Sequence, residues 1–145
     1  MAPFIVMLGS LLLFRGLGAL GVPAFTTWQE CASYALAVMF LFTAGSRLTP
    51  MRGDLLKMVP GTVPYPRLLV YVTGALEALG AIGLLLPATR SAAGLCLTLL
   101  LIAMFPANVN AARKHIQLRG KRPTPLWLRL PMQLVYIGLA VLAAL

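Results

Sequence analysis

Acidic residues are the scarcest feature of this sequence, because aspartate and glutamate together occur only three times among 145 residues. Charged residues of both signs make up 10% of the chain, whereas a typical soluble domain has about 25%. The rest is strongly apolar, with 60% hydrophobic residues and a mean hydropathy of +0.90. These values exclude an ordinary soluble domain and predict an all-α integral membrane protein, with residues 1–145 forming a single transmembrane domain.

Residues that build metal and redox sites are also few. One histidine, three acidic residues and two cysteines, Cys31 and Cys96, cannot form a recognisable metal site. The sequence has no Cys-x-x-Cys motif, and the two cysteines are interpreted as small apolar side chains. A redox role for them stays open, because the distance between their Cα atoms decides it. A phosphate-binding loop, a dinucleotide fingerprint and a nucleophile elbow are missing too, so no covalently bound cofactor is expected.

Five apolar segments approach the length of about 20 residues that a membrane-spanning helix needs. Prolines mark their ends, since proline disfavours continuation of a helix. Small residues that let helices approach closely in lipid, such as Gly16, Gly74 and Gly80, are interpreted as packing residues. The sequence therefore predicts transmembrane helices over 3–22, 31–48, 67–87, 91–112 and 126–145.

Basic residues are plentiful and give the chain a net charge of +9. They lie between the apolar segments rather than on a soluble face, so nucleic acid is not an expected partner and anionic lipid is. Ten of the twelve lysines and arginines fall in the connections 47–67 and 113–129, and only Arg90 falls in the connections on the opposite side. The positive-inside rule then predicts a cytoplasmic N-terminus and an external C-terminus.

The segment LVYVTGALEALGAIGLLLPATR, residues 69–90, places a carboxylate in the middle of a predicted span. Glu77 lies about 15 Å from the cytoplasmic end of its helix, and Arg15 lies about 16–18 Å into the first span. An isolated charge at the bilayer centre costs about 2.5–3.5 kcal/mol, so Glu77 is predicted to face the bundle interior with Arg15 as its charged partner. Two interpretations stay open: this pair is structural, or Glu77 exchanges protons or binds a ligand.

Other polar side chains in the spans complete a candidate site. Thr73 shares a helix face with Glu77 through their i, i+4 spacing. In MFPANVNAARKH, residues 104–115, Pro106 interrupts helical hydrogen bonding, and the stretch either lines a water-accessible mouth or ends the helix among headgroups. Glu77 is the candidate catalytic residue. The candidate ligand-binding residues are Arg15, Arg47, Tyr71, Thr73, Asn108, Asn110, Gln133 and Tyr136.

The phrases YVTGALEALG and FPAN resemble the DoxX-like membrane proteins, and the resemblance covers about residues 31–145. It implies a four-helix transmembrane bundle in a bacterial inner membrane, to which residues 3–22 add one N-terminal helix. Members of that family include a subunit of a thiosulfate:quinone oxidoreductase, which implies a redox-linked role. Many relatives carry a histidine where this sequence has Arg47. A guanidinium is always charged near neutral pH and fits contact with an anion or a headgroup better than proton transfer.

Three functions are therefore compatible with the sequence. The first is a redox-linked membrane subunit that meets quinone or a similar lipophilic molecule, with Glu77 handling protons. The second is a non-catalytic module that assembles with a protein partner or with its own copies. The third is an intramembrane binder of a small lipophilic ligand, with Glu77 as its counter-ion.

Overall fold

Five α-helices account for most of the chain that can be described. The computed structural model describes residues 2–46, 53, 56–57, 61–62, 64–114 and 125–145. The helices are α1 (Ala2–Ala19), α2 (Trp28–Ser46), α3 (Pro66–Leu85), α4 (Arg90–Arg113) and α5 (Leu126–Ala144), and a 3-10 turn covers Pro23–Phe25. The all-α prediction is confirmed. Each predicted segment coincides with one helix, and no end differs by more than 3 residues.

The connection between α1 and α2 shows the largest differences from the predicted bounds. α1 ends at Ala19 because Gly21 adopts a left-handed φ of 99°, and the N–H of Val22 reaches back to the carbonyl of Leu17. This is a Schellman ending, in which glycine avoids the steric cost of positive φ. The predicted extension of the first helix to residue 22 is therefore wrong.

α2 begins earlier than predicted because a capping box starts it. The N–H of Glu30 donates to Thr27 Oγ1 at 3.2 Å, and the N–H of Thr27 donates to Glu30 Oε2 at 3.3 Å. This reciprocal pair satisfies two backbone donors that the helix itself leaves unpaired. The pattern T-x-x-E in the sequence would have located this start.

Four helices contact one another in a closed ring, and the fifth lies outside it. α2 packs on α3, α3 on α4, α4 on α5, and α5 returns to α2, whereas α1 packs along α2. The apolar core runs through this arrangement and includes Met7, Leu36, Leu84, Leu97 and Ala140. α2 is thus enclosed by three neighbours, and eight of its residues are buried.

Within the part of the chain that the structure describes, three helices are long and apolar enough to cross a membrane: Pro66–Leu85, Arg90–Asn110 and Leu126–Ala144. α1 is apolar but shorter, with its apolar part at Pro3–Ala19. α2 is not among the three, and it starts with Trp28, Gln29 and Glu30.

Two glycines lie where neighbouring helices of the ring approach closely. A Cβ added at Gly80 in α3 would lie 2.5 Å from Leu97 Cδ2 in α4, and one at Gly94 in α4 would lie 2.8 Å from the carbonyl oxygen of Ala140 in α5. The packing interpretation therefore holds at Gly80. It is wrong for Gly16, where no atom of the described chain lies within 4 Å of an added Cβ.

Candidate functional site

Glu77 lies inside the helical bundle and is 3% exposed. It stands in the middle of α3, on the same side as the buried residues Gly74, Ala81 and Leu84, which recur at helical spacing. The hydroxyl Oγ1 of Thr43 in α2 lies 3.1 Å from Glu77 Oε2. The prediction that Glu77 faces the interior is therefore confirmed, and α2 supplies a hydroxyl to its carboxyl group.

Gln133 lies near the same level as Glu77 on the opposite side of the ring. α3 and α4 run antiparallel, and Gly80 faces Leu97, so Glu77 lies within about 3 Å of the level of Leu101. Gln133 in α5 is 7% exposed and donates from Nε2 to the carbonyl oxygen of Leu101 at 2.6 Å. Thr43, Glu77 and Gln133 thus form one cross-section of the bundle, which we call the polar layer.

Close to the carbonyl that Gln133 binds, α4 also contains Pro106. A proline inside a helix lacks an N–H and leaves a carbonyl one turn earlier without its usual partner. α4 nevertheless runs unbroken to Arg113, and the Gln133 amide binds a carbonyl close to that interruption. α4 thus passes Pro106 and ends at Arg113, within residues 104–115, so both interpretations of this stretch, a water-accessible mouth and a helix end among headgroups, stay predictions.

One helical turn before Gln133 on α5, a second polar contact joins α4 and α5. Arg129 Nη1 donates to Asn108 Oδ1 at 3.4 Å, and both side chains are partly buried. Gln133 and Arg129 are four residues apart on α5 and so share one face. This contact brings a candidate site residue, Asn108, next to a cation that the sequence analysis had placed in a loop.

Arg15 does not pair with Glu77, and that prediction is wrong. Its Nη1 donates to the carbonyl oxygen of Thr26 at 3.0 Å, and its guanidinium carbon lies 4.9 Å from the ring centre of Trp28. Trp28 begins α2, whereas Thr43 stands 15 residues later, so about 22 Å of helix separates Arg15 from the polar layer. Arg15 closes the α1–α2 connection.

The remaining candidate residues are dispersed. Tyr71 is 46% exposed and lies on another side of α3 from Glu77, whereas Thr73 is on the same side but donates its hydroxyl to Leu69 O at 2.8 Å. Tyr136 in α5 packs near Phe4 of α1, with ring centres 6.2 Å apart. Asn110 is partly buried near the end of α4. Arg47 lies outside the described residues.

An open apolar groove runs between α3 and α4. Its volume is about 540 Å³, and its lining includes Leu76, Gly80, Ala93, Cys96 and Leu99. Leu76 and Gly80 flank Glu77 in sequence, but Glu77 itself points from α3 toward α2. The groove and the carboxyl group therefore lie at one level, on different sides of α3.

The two cysteines differ in their surroundings. Cys31 is fully buried and its sulfur lies 3.5 Å from the carbonyl oxygen of Phe25, whereas Cys96 is exposed in the groove. Both are free thiols.

The residues that shape the polar layer fall within a recognised sequence family. A family model described as a domain of unknown function, DUF8561, matches residues 36–144. No curated protein and no solved structure matches the chain.

Proposed function

The chain belongs to the DUF8561 family, and from its own site we propose that it is an integral membrane protein that couples proton exchange at Glu77 to a lipophilic molecule of the quinone class. The observation that carries this proposal is a carboxyl group that is 3% exposed among apolar helices and bonded to the Thr43 hydroxyl. Ionisable residues inside a membrane are costly, and they commonly mark proton relays or ligand sites.

The proposal places all five helices across a bacterial inner membrane, with the N-terminus in the cytoplasm and the C-terminus in the periplasm. The basic connections 47–67 and 113–129 then face the cytoplasm and its anionic lipids. In this proposal the ring of α2, α3, α4 and α5 is the DoxX-like four-helix bundle, and α1 is the additional helix. α2 crosses with the others because it packs against α3 and α5, which are apolar enough to span, and α1 crosses because it packs along α2.

The α3–α4 groove is the proposed place for the lipophilic molecule. Its volume of about 540 Å³ and its apolar lining suit a ligand of this kind, since small-molecule sites range over about 300–1,000 Å³ and are mostly apolar. When bound, a quinone supplies two-electron, two-proton redox chemistry. The chain's own residues hold its apolar part, and a partner protein supplies the electrons.

Glu77 acts on the groove through its charge. Helix α3 separates the carboxyl group from the groove, so direct contact is not part of the proposal. Electrostatic interactions across a single helix are strong in an apolar interior, because little water screens them. Gain or loss of a proton at Glu77 therefore changes how well the groove stabilises a charge on the bound molecule. A change of charge on that molecule in turn alters proton binding at Glu77.

A photoreactive quinone and a hydrophobic carbodiimide test this function in lipid nanodiscs. An azido-quinone should label groove peptides from α3 and α4, and excess unlabelled quinone should compete. Dicyclohexylcarbodiimide, which modifies protonated carboxyl groups in apolar surroundings, should add to the wild-type chain at Glu77 and not to Glu77→Gln. Saturating quinone should slow this reaction, whereas an alkane of equal length should not. Absence of competed labelling would refute the quinone proposal.

The same experiment separates the other two functions. The groove favours a lipophilic-ligand binder as the second candidate, and its signature is competition by apolar molecules in general with no effect on carbodiimide modification. A stoichiometric membrane partner that co-purifies, without any competed labelling, indicates the assembly module.

A further inference from the structure

Thr43 has two acceptors within hydrogen-bond distance but only one hydroxyl hydrogen to donate. Its Oγ1 lies 3.1 Å from Glu77 Oε2 and 3.0 Å from the carbonyl oxygen of Phe40. A threonine hydroxyl donates once and accepts through two lone pairs. The direction of the bond between Thr43 and Glu77 therefore depends on which of the two groups carries the proton.

Both protonation states of Glu77 can be accommodated without moving a heavy atom. When the carboxyl group is ionised, the Thr43 hydroxyl donates to Oε2. When it is protonated, Oε2–H donates to Thr43 Oγ1, and the Thr43 hydroxyl turns to donate to Phe40 O. A buried polar group that loses its partner costs about 1–3 kcal/mol, and this arrangement avoids that cost in either state.

The position of Thr43 connects Glu77 with the end of a helix. Thr43 is half-buried, whereas Glu77 is 3% exposed. One turn further on is Ser46, the last residue of α2, whose hydroxyl donates to the Thr43 carbonyl oxygen at 2.6 Å. Thr43 as a residue is therefore more exposed than Glu77, and it lies close to the Ser46 end of α2.

We propose that the Thr43 hydroxyl is the route by which Glu77 exchanges protons with water at the Ser46 end of α2. In uptake, the Thr43 O–H bond breaks as its proton passes to Glu77 Oε2, and a hydronium ion at that end gives a proton to Oγ1 and becomes water. Release follows the same bonds in reverse, and no electron moves. This inference rests on the proposed role of Glu77 and adds a positioning residue and a cytoplasmic side of access.

Infrared spectroscopy can follow the carboxyl proton directly, without any ligand. The chain has only three acidic side chains, so subtracting the spectrum of Glu77→Gln from that of the wild type isolates the Glu77 carbonyl band. Transfer to D2O, at a pH where the band is present, shifts it as the carboxyl proton exchanges for deuterium. The exchange rate then reports access to Glu77 in the intact protein.

Three variants separate the effect of the Thr43 hydroxyl from the effect of the size of its side chain. Thr43→Val removes the hydroxyl at nearly constant size, and we expect exchange to slow by about a hundredfold, at the lower end of what a positioned proton-transfer group contributes. Thr43→Ser keeps the hydroxyl and should exchange at the wild-type rate. Thr98→Val is the matched control, because Thr98 Oγ1 bonds within its own helix to Gly94 O at 2.8 Å, and it should also leave the rate unchanged.

Two results would overturn the relay. One is exchange in Thr43→Val at the wild-type rate, and the other is absence of a Glu77 carbonyl band at any pH, since the relay needs a protonated state. If Thr43→Val does not fold, Thr43→Ala compared with Thr43→Ser gives the same test. A failed quinone-labelling experiment leaves this measurement intact, and a failed exchange experiment leaves the labelling intact, so the two proposals can be refuted separately.

Discussion

Gly94 is the position where one methyl group should have the clearest effect on the bundle. A Cβ there would meet the carbonyl oxygen of Ala140 at 2.8 Å and the backbone nitrogen of Ala144 at 2.9 Å. Both atoms belong to the backbone of α5, so neither can rotate aside as a flexible side-chain end could. Gly94→Ala therefore forces α4 and α5 apart along the contact that closes the ring.

The expected cost follows from two opposing effects. Overpacking a close contact costs about 1–3 kcal/mol, whereas replacing a helical glycine with alanine gains about 0.5–1 kcal/mol by restricting the unfolded chain. Gly138→Ala in α5 is the matched control, because no atom lies within 4 Å of an added Cβ there. It keeps the gain without the clash. Because both variants share that gain, they should differ by the cost of the clash alone, about 1–3 kcal/mol, or about 3–12 °C in thermal midpoint for a chain of this size.

Thermal unfolding in one detergent, followed by circular dichroism, measures this difference. We expect Gly94→Ala to unfold below the wild type and Gly138→Ala at or above it. If Gly94→Ala unfolds at the same temperature as Gly138→Ala or higher, α4 and α5 are not in the close contact on which this reasoning depends.

Three further predictions test other parts of the architecture. In a cysteine-free background, a cysteine at Thr89 should react with an impermeant thiol reagent in intact cells and one at Lys114 should not, and the reverse pattern would contradict the orientation. Gln133→Leu removes the hydrogen bond to the Leu101 carbonyl and should lower the free energy of unfolding by about 0.5–1.5 kcal/mol in detergent. Arg15→Gln and Glu77→Gln should have additive effects on the unfolding midpoint, because the two residues do not touch. If the double variant instead recovers stability, Arg15 and Glu77 do form the ion pair that was rejected above.

The positions of the helices were largely predictable from the sequence. Apolar runs separated by proline and charged residues determine which residues enter a helix, and these signals are local. α3, for example, starts at Pro66, and α5 starts directly after Pro125. Proline suits the first turn of a helix, where its missing N–H has no helical partner.

The partners inside the bundle were not predictable, because they depend on how the helices are offset from one another. Arg15 illustrates the problem: counting residues from the start of the first span gave a depth similar to that of Glu77, but α1 ends one turn after Arg15. Thr43 illustrates the reverse. Its hydroxyl was visible in the sequence, yet its contact with Glu77 depends on the packing of α2 against α3.

In the membrane location proposed above, the polar layer also bears on how the bundle forms. Its three side chains come from three helices, one each from α2, α3 and α5. A single acidic residue at the centre of a helix raises the free energy of insertion by about 2.5–3.5 kcal/mol. The apolar remainder of α3 offsets this cost. Several polar groups on one helix would add their costs together. The hydrogen bonds of Thr43 to Glu77 and of Gln133 to Leu101 form only when the helices meet. The layer therefore contributes to helix association rather than to insertion, and it favours the one offset of the helices at which its polar groups find partners.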